Sequence, residues 1–200
     1  ILRHSPTRPG ALNSPSVSSV LELGNGQVWV GTRGNGIDVL DRNRGVIDGY
    51  RPEPSNPRGL SSGVISSLAQ TADGAVWVGT LDGLHRFDPA RGDFERLGPE
   101  RGVPDVYVRR LLAGDGDLWV GTDAGLARVN LADSSIDRLP AQDGSVLRID
   151  INALALAADG RLWVGGSAGL FTIAPGHRSP QRVSLRSTDA AEPIQVGIVG

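Results

Sequence analysis

The sequence predicts an all-β chain: a β-propeller of four-stranded antiparallel blades, four of them whole, with partial blades at both ends. Three observations carry this. Trp-Val-Gly recurs at Trp29, Trp77, Trp119 and Trp163, which are the 4 tryptophans of the chain. Each copy leads to a second glycine and a branched residue, at Gly36-Ile37, Gly83-Leu84, Gly125-Leu126 and Gly169-Leu170. Each is also preceded by an Asn-Gly or Asp-Gly pair (Asn25-Gly26, Asp73-Gly74, Asp115-Gly116, Asp159-Gly160), the hairpin signal in which both central residues need positive φ.

The second repeat gives the element order most clearly. A first strand is expected at 64–70, a second at 75–80 after the Asp-Gly turn, and a third at 84–88, stopped by Pro89. A fourth follows at 93–97, and a looser stretch leads to the next unit. By the same plan the other first strands are 17–23, 106–113 and 151–157, the third strands 37–41, 126–130 and 170–174, and the fourth strands 46–50, 135–139 and 181–185. The blades are therefore 17–50, 64–97, 106–139 and 151–185. Residues 1–16 read as the end of a preceding blade, with its last strand near 1–3. Residues 188–200 read as the start of a following blade, whose first strand is the alternation at 194–199. The whole is expected to be a fragment of a larger propeller.

In a strand, Trp77 points to one face and Val76 and Val78 to the other. All three are apolar, so both faces should be buried between neighbouring blades. The indole N–H is expected to reach a carbonyl of the next blade, and Gly79 to permit close approach. A residue repeated in every blade serves packing before ligand stacking.

Composition excludes several classes. Net charge is −2, with no electrostatic footprint for nucleic acid. All 20 basic side chains are arginine, so side-chain Schiff-base chemistry is out. Cysteine is absent, which removes disulfides and thiolate metal sites. No apolar run approaches a membrane span, so no direct membrane insertion is expected of this segment.

The pattern Trp-Val-Gly-Thr-x-x-Gly-Leu-x-Arg-Phe-Asp-Pro, best at 77–89, resembles the two-component regulator propeller repeat. The serine-bearing first strands, Val17-Ser18-Ser19-Val20 and Val64-Ile65-Ser66-Ser67-Leu68, fit it too, and the resemblance spans nearly the whole chain. Copies depart from it in detail. The first has the longer turn Arg33-Gly34-Asn35-Gly36, the third has Val129-Asn130 in place of Phe-Asp, and the fourth replaces Thr with Gly166. The resemblance implies the extracytoplasmic sensor region of a hybrid histidine kinase or diguanylate cyclase receptor. It implies a periplasmic location, a small polar ligand or oligosaccharide as partner, and further blades and downstream domains in the parent chain.

Residues that announce chemistry are few. His4, His85 and His177 are too scattered for a metal motif, so neither metal nor cofactor is expected, and His85 reads as a surface or hydrogen-bonded histidine. Asp82 and Asp123 lie in comparable loops of adjacent blades and would supply the paired carboxylates of a polysaccharide hydrolase or lyase, the alternative to a non-catalytic sensor. A third reading is a protein-interaction scaffold, with a homodimer formed through open blade edges. If a ligand binds, it belongs where the second-to-third strand turns meet the links between blades. That face would carry Arg33, Asn35, Asp82, Asp105, Tyr107, Asp123, Asp150 and Asn152. Arg109 and Arg110 lie in a first strand; alternation would send one to each side, where it is either satisfied between blades or enters the channel to bind an anion such as a uronate or sulfate.

Overall fold

A computed structural model describes residues 5, 10–53, 55–141, 147–186 and 195–198. It contains four meanders, as the sequence predicts. The first is β1 (Val17–Glu22), β2 (Val28–Thr32), β3 (Ile37–Asp41) and β4 (Gly45–Tyr50); the second is β5 (Ile65–Gln70), β6 (Val76–Thr80), β7 (Gly83–Asp88) and β8 (Asp93–Leu97). The third is β9 (Val108–Ala113), β10 (Asp117–Thr122), β11 (Gly125–Asn130) and β12 (Ile136–Arg138). The fourth is β13 (Ile151–Leu156), β14 (Leu162–Gly166), β15 (Gly169–Ile173) and β16 (Gln181–Arg186). The first strands β1, β5, β9 and β13 adjoin one another in that order, so they form the inner edge of the array.

Two strands begin later than the alternation suggests, at Ile65 and Val108. The carbonyls of Val64, Val106 and Tyr107 accept from the turn amides of Leu81, Gly83 and Asp123 instead of from a strand partner. The tail departs further. Gln195–Ile198 (β17) pairs with β16, with Val183 opposite Ile198 and Arg186 opposite Gln195, and is a fifth strand of the fourth sheet. It does not open a separate sheet, because the outer strand β16 offers an unpaired row of N–H and C=O groups that the tail can satisfy. Residues 1–4, 6–9, 188–194 and 199–200 of the partial-blade expectations lie outside the described residues.

Each blade has a leading face, turned to the blade before it, and a trailing face, turned to the one after. Cross-strand partners share a face. Leu21, Trp29, Gly31, Ile37 and Val39 therefore lie on the first blade's trailing face, and Ile65, Leu68, Val76 and Val78 on the second blade's leading face. Apart from Gly31, these residues belong to one core cluster. The next two seams repeat it with Trp77 and Leu84 against Val108, Leu111 and Val120, and with Leu126 and Trp119 against Ile151 and Val164.

The glycine of Trp-Val-Gly is the register pin of each seam. A Cβ on Gly31 would sit 2.6 Å from Ile65 Cγ2, on Gly79 2.7 Å from Val108 Cγ1, and on Gly121 2.5 Å from Ile151 Cγ2. The first residue of each inner strand thus fills the notch left by the preceding blade. Trp29 and Trp77 are buried, consistent with packing. The expected indole bond to a neighbouring carbonyl does not form. Trp77 Nε1 donates to Thr71 Oγ1 of its own blade at 3.2 Å, and Trp29 Nε1 has no partner among the described residues.

The repeated threonine has a role that spacing alone does not reveal. Thr32, Thr80 and Thr122 are fully buried, and each Oγ1 donates to the carbonyl of the turn glycine (Gly36, Gly83, Gly125) at 2.9–3.1 Å. Each also accepts an amide of the same turn, from Asn35, Asp82 or Ala124. The fourth blade has Gly166 in place of threonine. There the Asp150 side chain holds the start of the turn, Oδ1 accepting from the Ser167 amide at 3.0 Å.

Candidate functional site

Three positions per blade build the inner cavity. One is the residue immediately after the buried threonine: Arg33, Leu81, Asp123. A second precedes the inner strand: Val64 and Tyr107. Backbone bonds tie these two together, from the amide of Leu81 to Val64 O at 3.4 Å and from that of Asp123 to Tyr107 O at 3.1 Å. In the first blade Arg33 N donates in the same way to Ser16 O at 3.0 Å.

The third position is a β-bulge. The inner-strand register skips one residue in every blade: Ser18, Ser66, Arg109 and Asn152. A bulge breaks side-chain alternation and re-aims the extra residue. The simple alternation expected for Arg109 and Arg110 therefore fails, and both line the cavity. Where the bulge residue is serine it clamps the seam. Ser18 Oγ donates to Ile65 O at 2.6 Å, and Ser66 Oγ to Val108 O. The following serines accept from the next blade, Ser19 from Leu68 N at 3.0 Å and Ser67 from Leu111 N at 3.1 Å. Arg109 and Arg110 replace this serine pair in the third blade.

The cavity measures about 630 Å³ and is bounded by Ser18, Ser66, Arg33, Tyr107, Arg109, Arg110 and Asp123 among others. Arg109 is committed within it: Nε donates to Asp123, and a second nitrogen donates to Asn152 Oδ1 across the seam at 3.1 Å. The Asp123 hydrogen bond, ahead of its charge, holds this guanidinium above the ordinary arginine range. Arg33 and Tyr107 are exposed to the cavity. Arg110 is exposed as well and uses one nitrogen on the Arg109 carbonyl, at 2.8 Å.

A second cavity, about 540 Å³, lies between the third and fourth blades and is lined by Asp105, Asp123, Asp150, Arg138, Arg148 and Ser167. Asp150 is held down to about 2, first by its hydrogen bonds from Ser167 and then by Asn152, so it is a carboxylate serving the turn.

Of the residues singled out in the sequence, Arg33, Tyr107, Arg109 and Asp123 meet in the first cavity, and Asp105, Asp123 and Asp150 in the second. Asn152 joins through Arg109. Asn35 and Asp82 line neither. Asn35 Nδ2 donates to Asn13 O at 2.6 Å, and Asp82 Oδ1 accepts from Arg96 at 2.8 Å. The pairing of Asp82 with Asp123 is therefore not realised. Counted from threonine, Asp82 is the second residue and Asp123 the first, and that offset turns Asp82 toward β8. Arg110, Ser18 and Ser66 complete the cavity; aligning the four inner strands on Ile65, Val108, Ile151 and Val17 exposes them.

Ser61 and His85 invite a catalytic reading. Ser61 Oγ lies 3.1 Å from Nε2 of the buried His85. Nδ1 is buried with no partner among the described residues, so no carboxylate orients the ring as a base, and Ser61 Oγ donates to Asp82 O. Burial first, then the nearby Arg96, lowers this histidine to about 4. It is a neutral clamp on the link before the second blade, as buried Asp38 is for Asn13 in the first. Among the described residues no His, Cys, Asp or Glu cluster suits a metal, and no helix is long and apolar enough to cross a membrane.

Fold and cavity together define a β-propeller segment that gathers its variable side chains at the inner strands of a repeated scaffold. Residues 59–82 match the two-component regulator propeller family, so the chain carries that repeat. No curated protein matches. Among solved structures, the extracellular domain of a hybrid two-component system from B. thetaiotaomicron superposes with a TM-score of 0.73 at 18% identity, over 94% of this chain and 26% of that one. The extracellular domain of a one-component system from the same organism gives 0.66 at 26%, over 85% and 22%. A virginiamycin B lyase from Staphylococcus aureus gives 0.58 at 18%, over 81% and 53%. The chain thus spans about a quarter of the two receptor domains.

Proposed function

We propose that this chain is part of a larger, extracytoplasmic, periplasmic propeller of a bacterial signalling receptor, and that it holds a small polar ligand without transforming it. One observation carries the reading. The packing positions repeat nearly unchanged from blade to blade, whereas the positions that line the inner cavity vary, the bulge position departing from serine in the third blade. Arg33, Leu81 and Asp123 occupy one of them, and Ser18, Ser66 and Arg109 another. Variation confined to a cavity on a constant scaffold is how specificity is placed. Arg33 and Arg110 suit an acidic group such as a uronate or sulfate, and the exposed Tyr107 ring suits a sugar face.

Lyases share the fold, which keeps a catalytic reading in view as the alternative. Against it stand the separation of Asp82 from Asp123 and the unoriented His85. Calorimetric titration with acidic and neutral oligosaccharides, paired with product analysis, tests the proposal. Saturable binding weakened at least tenfold by Tyr107→Ala, with the saccharide recovered intact, supports it. Cleavage of the saccharide, or binding indifferent to Tyr107, defeats it.

A further inference from the structure

The second blade satisfies its tryptophan with its own residues. Thr71 Oγ1 accepts the Trp77 indole N–H at 3.2 Å. Arg86, the cross-strand neighbour of Trp77, places its guanidinium 5.7 Å from the ring centroid and 4.0 Å from Asp73 of the Asp-Gly turn. The third blade repeats the tryptophan and the turn acid but leaves all three contacts open. Gly114 stands in the place of the threonine, its amide donating to Asp117 O as that of Thr71 does to Ala75 O. Trp119 Nε1 has no partner among the described residues and, unlike Trp29 Nε1, is not sealed from solvent. Arg128, opposite Trp119, reaches instead to Asp117 and Asp137, 3.6 Å from each. Asp115, the counterpart of Asp73, is exposed and has no ion pair among the described residues.

These open groups border a cavity of about 240 Å³ between the third and fourth blades, walled by Trp119, Leu156, Leu162, Ile173 and Pro175. It is framed by first-to-second and third-to-fourth turns, so it lies on the face opposite the turns of the inner cavity. Leu156 is 42% exposed there, at a position where the other blades carry Glu22, Gln70 and Ala113. Arg128 and Arg178 are balanced by Asp117 and Asp137, which leaves Asp115 as the uncompensated charge at the rim. The remaining rim group, His177, has Nδ1 3.1 Å from Pro175 O. We propose that this cavity is a second binding site, for a small organic cation that carries an oxygen acceptor. Its guanidinium or ammonium group lies over the Trp119 ring beside Asp115, as Arg86 lies over Trp77 beside Asp73, and its oxygen accepts from the indole N–H as Thr71 does. The apolar stem of such a ligand covers Leu156.

The test is a titration of the 200-residue chain with Nα-acetylargininamide, followed by its indole and backbone amide NMR resonances. The Trp119 indole N–H and the Asp115 amide should shift saturably, while Arg110 and Asp123 in the inner cavity stay still. Nα-acetylcitrullinamide, the uncharged isostere, should bind at least fivefold more weakly. Asp115→Asn should weaken the cation by a similar factor and keep the turn, since Asn25 holds the same place in the first blade. Gly114→Thr should abolish binding by giving the indole an internal acceptor. Gly114 has no left-handed backbone, and a Cβ there meets Trp119 Nε1 at an ordinary 3.4 Å, so this variant folds. A Trp119 indole resonance that does not move overturns the proposal. So does equal binding of the uncharged isostere, or binding that survives both Asp115→Asn and Gly114→Thr.

Discussion

Replacing glycine by alanine at four equivalent positions isolates what holds the blades in register. None of Gly31, Gly79, Gly121 and Gly165 has a left-handed backbone, so alanine is free of backbone strain at all four. At Gly31, Gly79 and Gly121 the new methyl falls 2.5–2.7 Å from a methyl of Ile65, Val108 or Ile151. Those residues are stiff at χ1 and fully buried, so the clash must be relieved by parting the blades. Overpacking of this kind costs about 1–3 kcal/mol. At Gly165 the methyl makes only an ordinary contact, 3.4 Å from Ala153 Cβ of its own blade, and reduced freedom of the unfolded chain gives a gain of about 0.4–1 kcal/mol. The predicted gap between Gly121→Ala and Gly165→Ala is therefore roughly 1.5–4 kcal/mol. Urea unfolding followed by tryptophan fluorescence, at protein concentrations low enough to exclude association, measures it. Ile151→Ala should also shrink the cost of Gly121→Ala, since it removes the methyl that clashes. Equal losses at all four glycines, or no coupling to Ile151, would refute the notch.

Other outcomes follow from the polar clamps. His85 is favoured in its neutral form by the fold. Its contribution is complete above pH 6.5 and is lost as the pH falls toward about 4, where the folded ring takes its proton. At pH 4.5 the wild type should therefore have lost about 2–3 kcal/mol more, relative to pH 7, than His85→Gln; equal pH slopes in urea titrations would contradict this. Thr80→Val removes both turn hydrogen bonds and should cost about 1–3 kcal/mol, while Thr80→Ser should cost under half of that, read as the shift in urea midpoint. Arg51 donates to the fully buried Asp38, which keeps only its bonds from Asn13 if the arginine is lost. Arg51→Gln should cost about 2 kcal/mol, and the Asn13→Ala, Arg51→Gln double variant should lose more than the sum of its parts.

The fold was legible because it rests on local signals: turn dipeptides, alternation and a glycine after each tryptophan, each sufficient to specify a hairpin. The site was legible only in part. Arg33, Tyr107 and Asp123 were readable as turn and link residues of one face, since the backbone of each blade brings those positions together. Asp82 and Asn35 were not, because their partners Arg96 and Asn13 come from a fourth strand and from the preceding link, and tertiary packing alone selects them. Arg109 shows the limit most clearly. Alternation assigns it a side, but a bulge that no single residue type announces re-aims it onto Asp123 and Asn152.

The most direct test of the account maps a bound ligand onto the backbone. Amide NMR shifts recorded while an acidic oligosaccharide is titrated in should change at Arg33, Tyr107, Arg109, Arg110 and Asp123, and stay still at Asn35 and Asp82. Shifts concentrated on the outer strands β4, β8 and β12, or at Asp82 with the inner cavity silent, would contradict it.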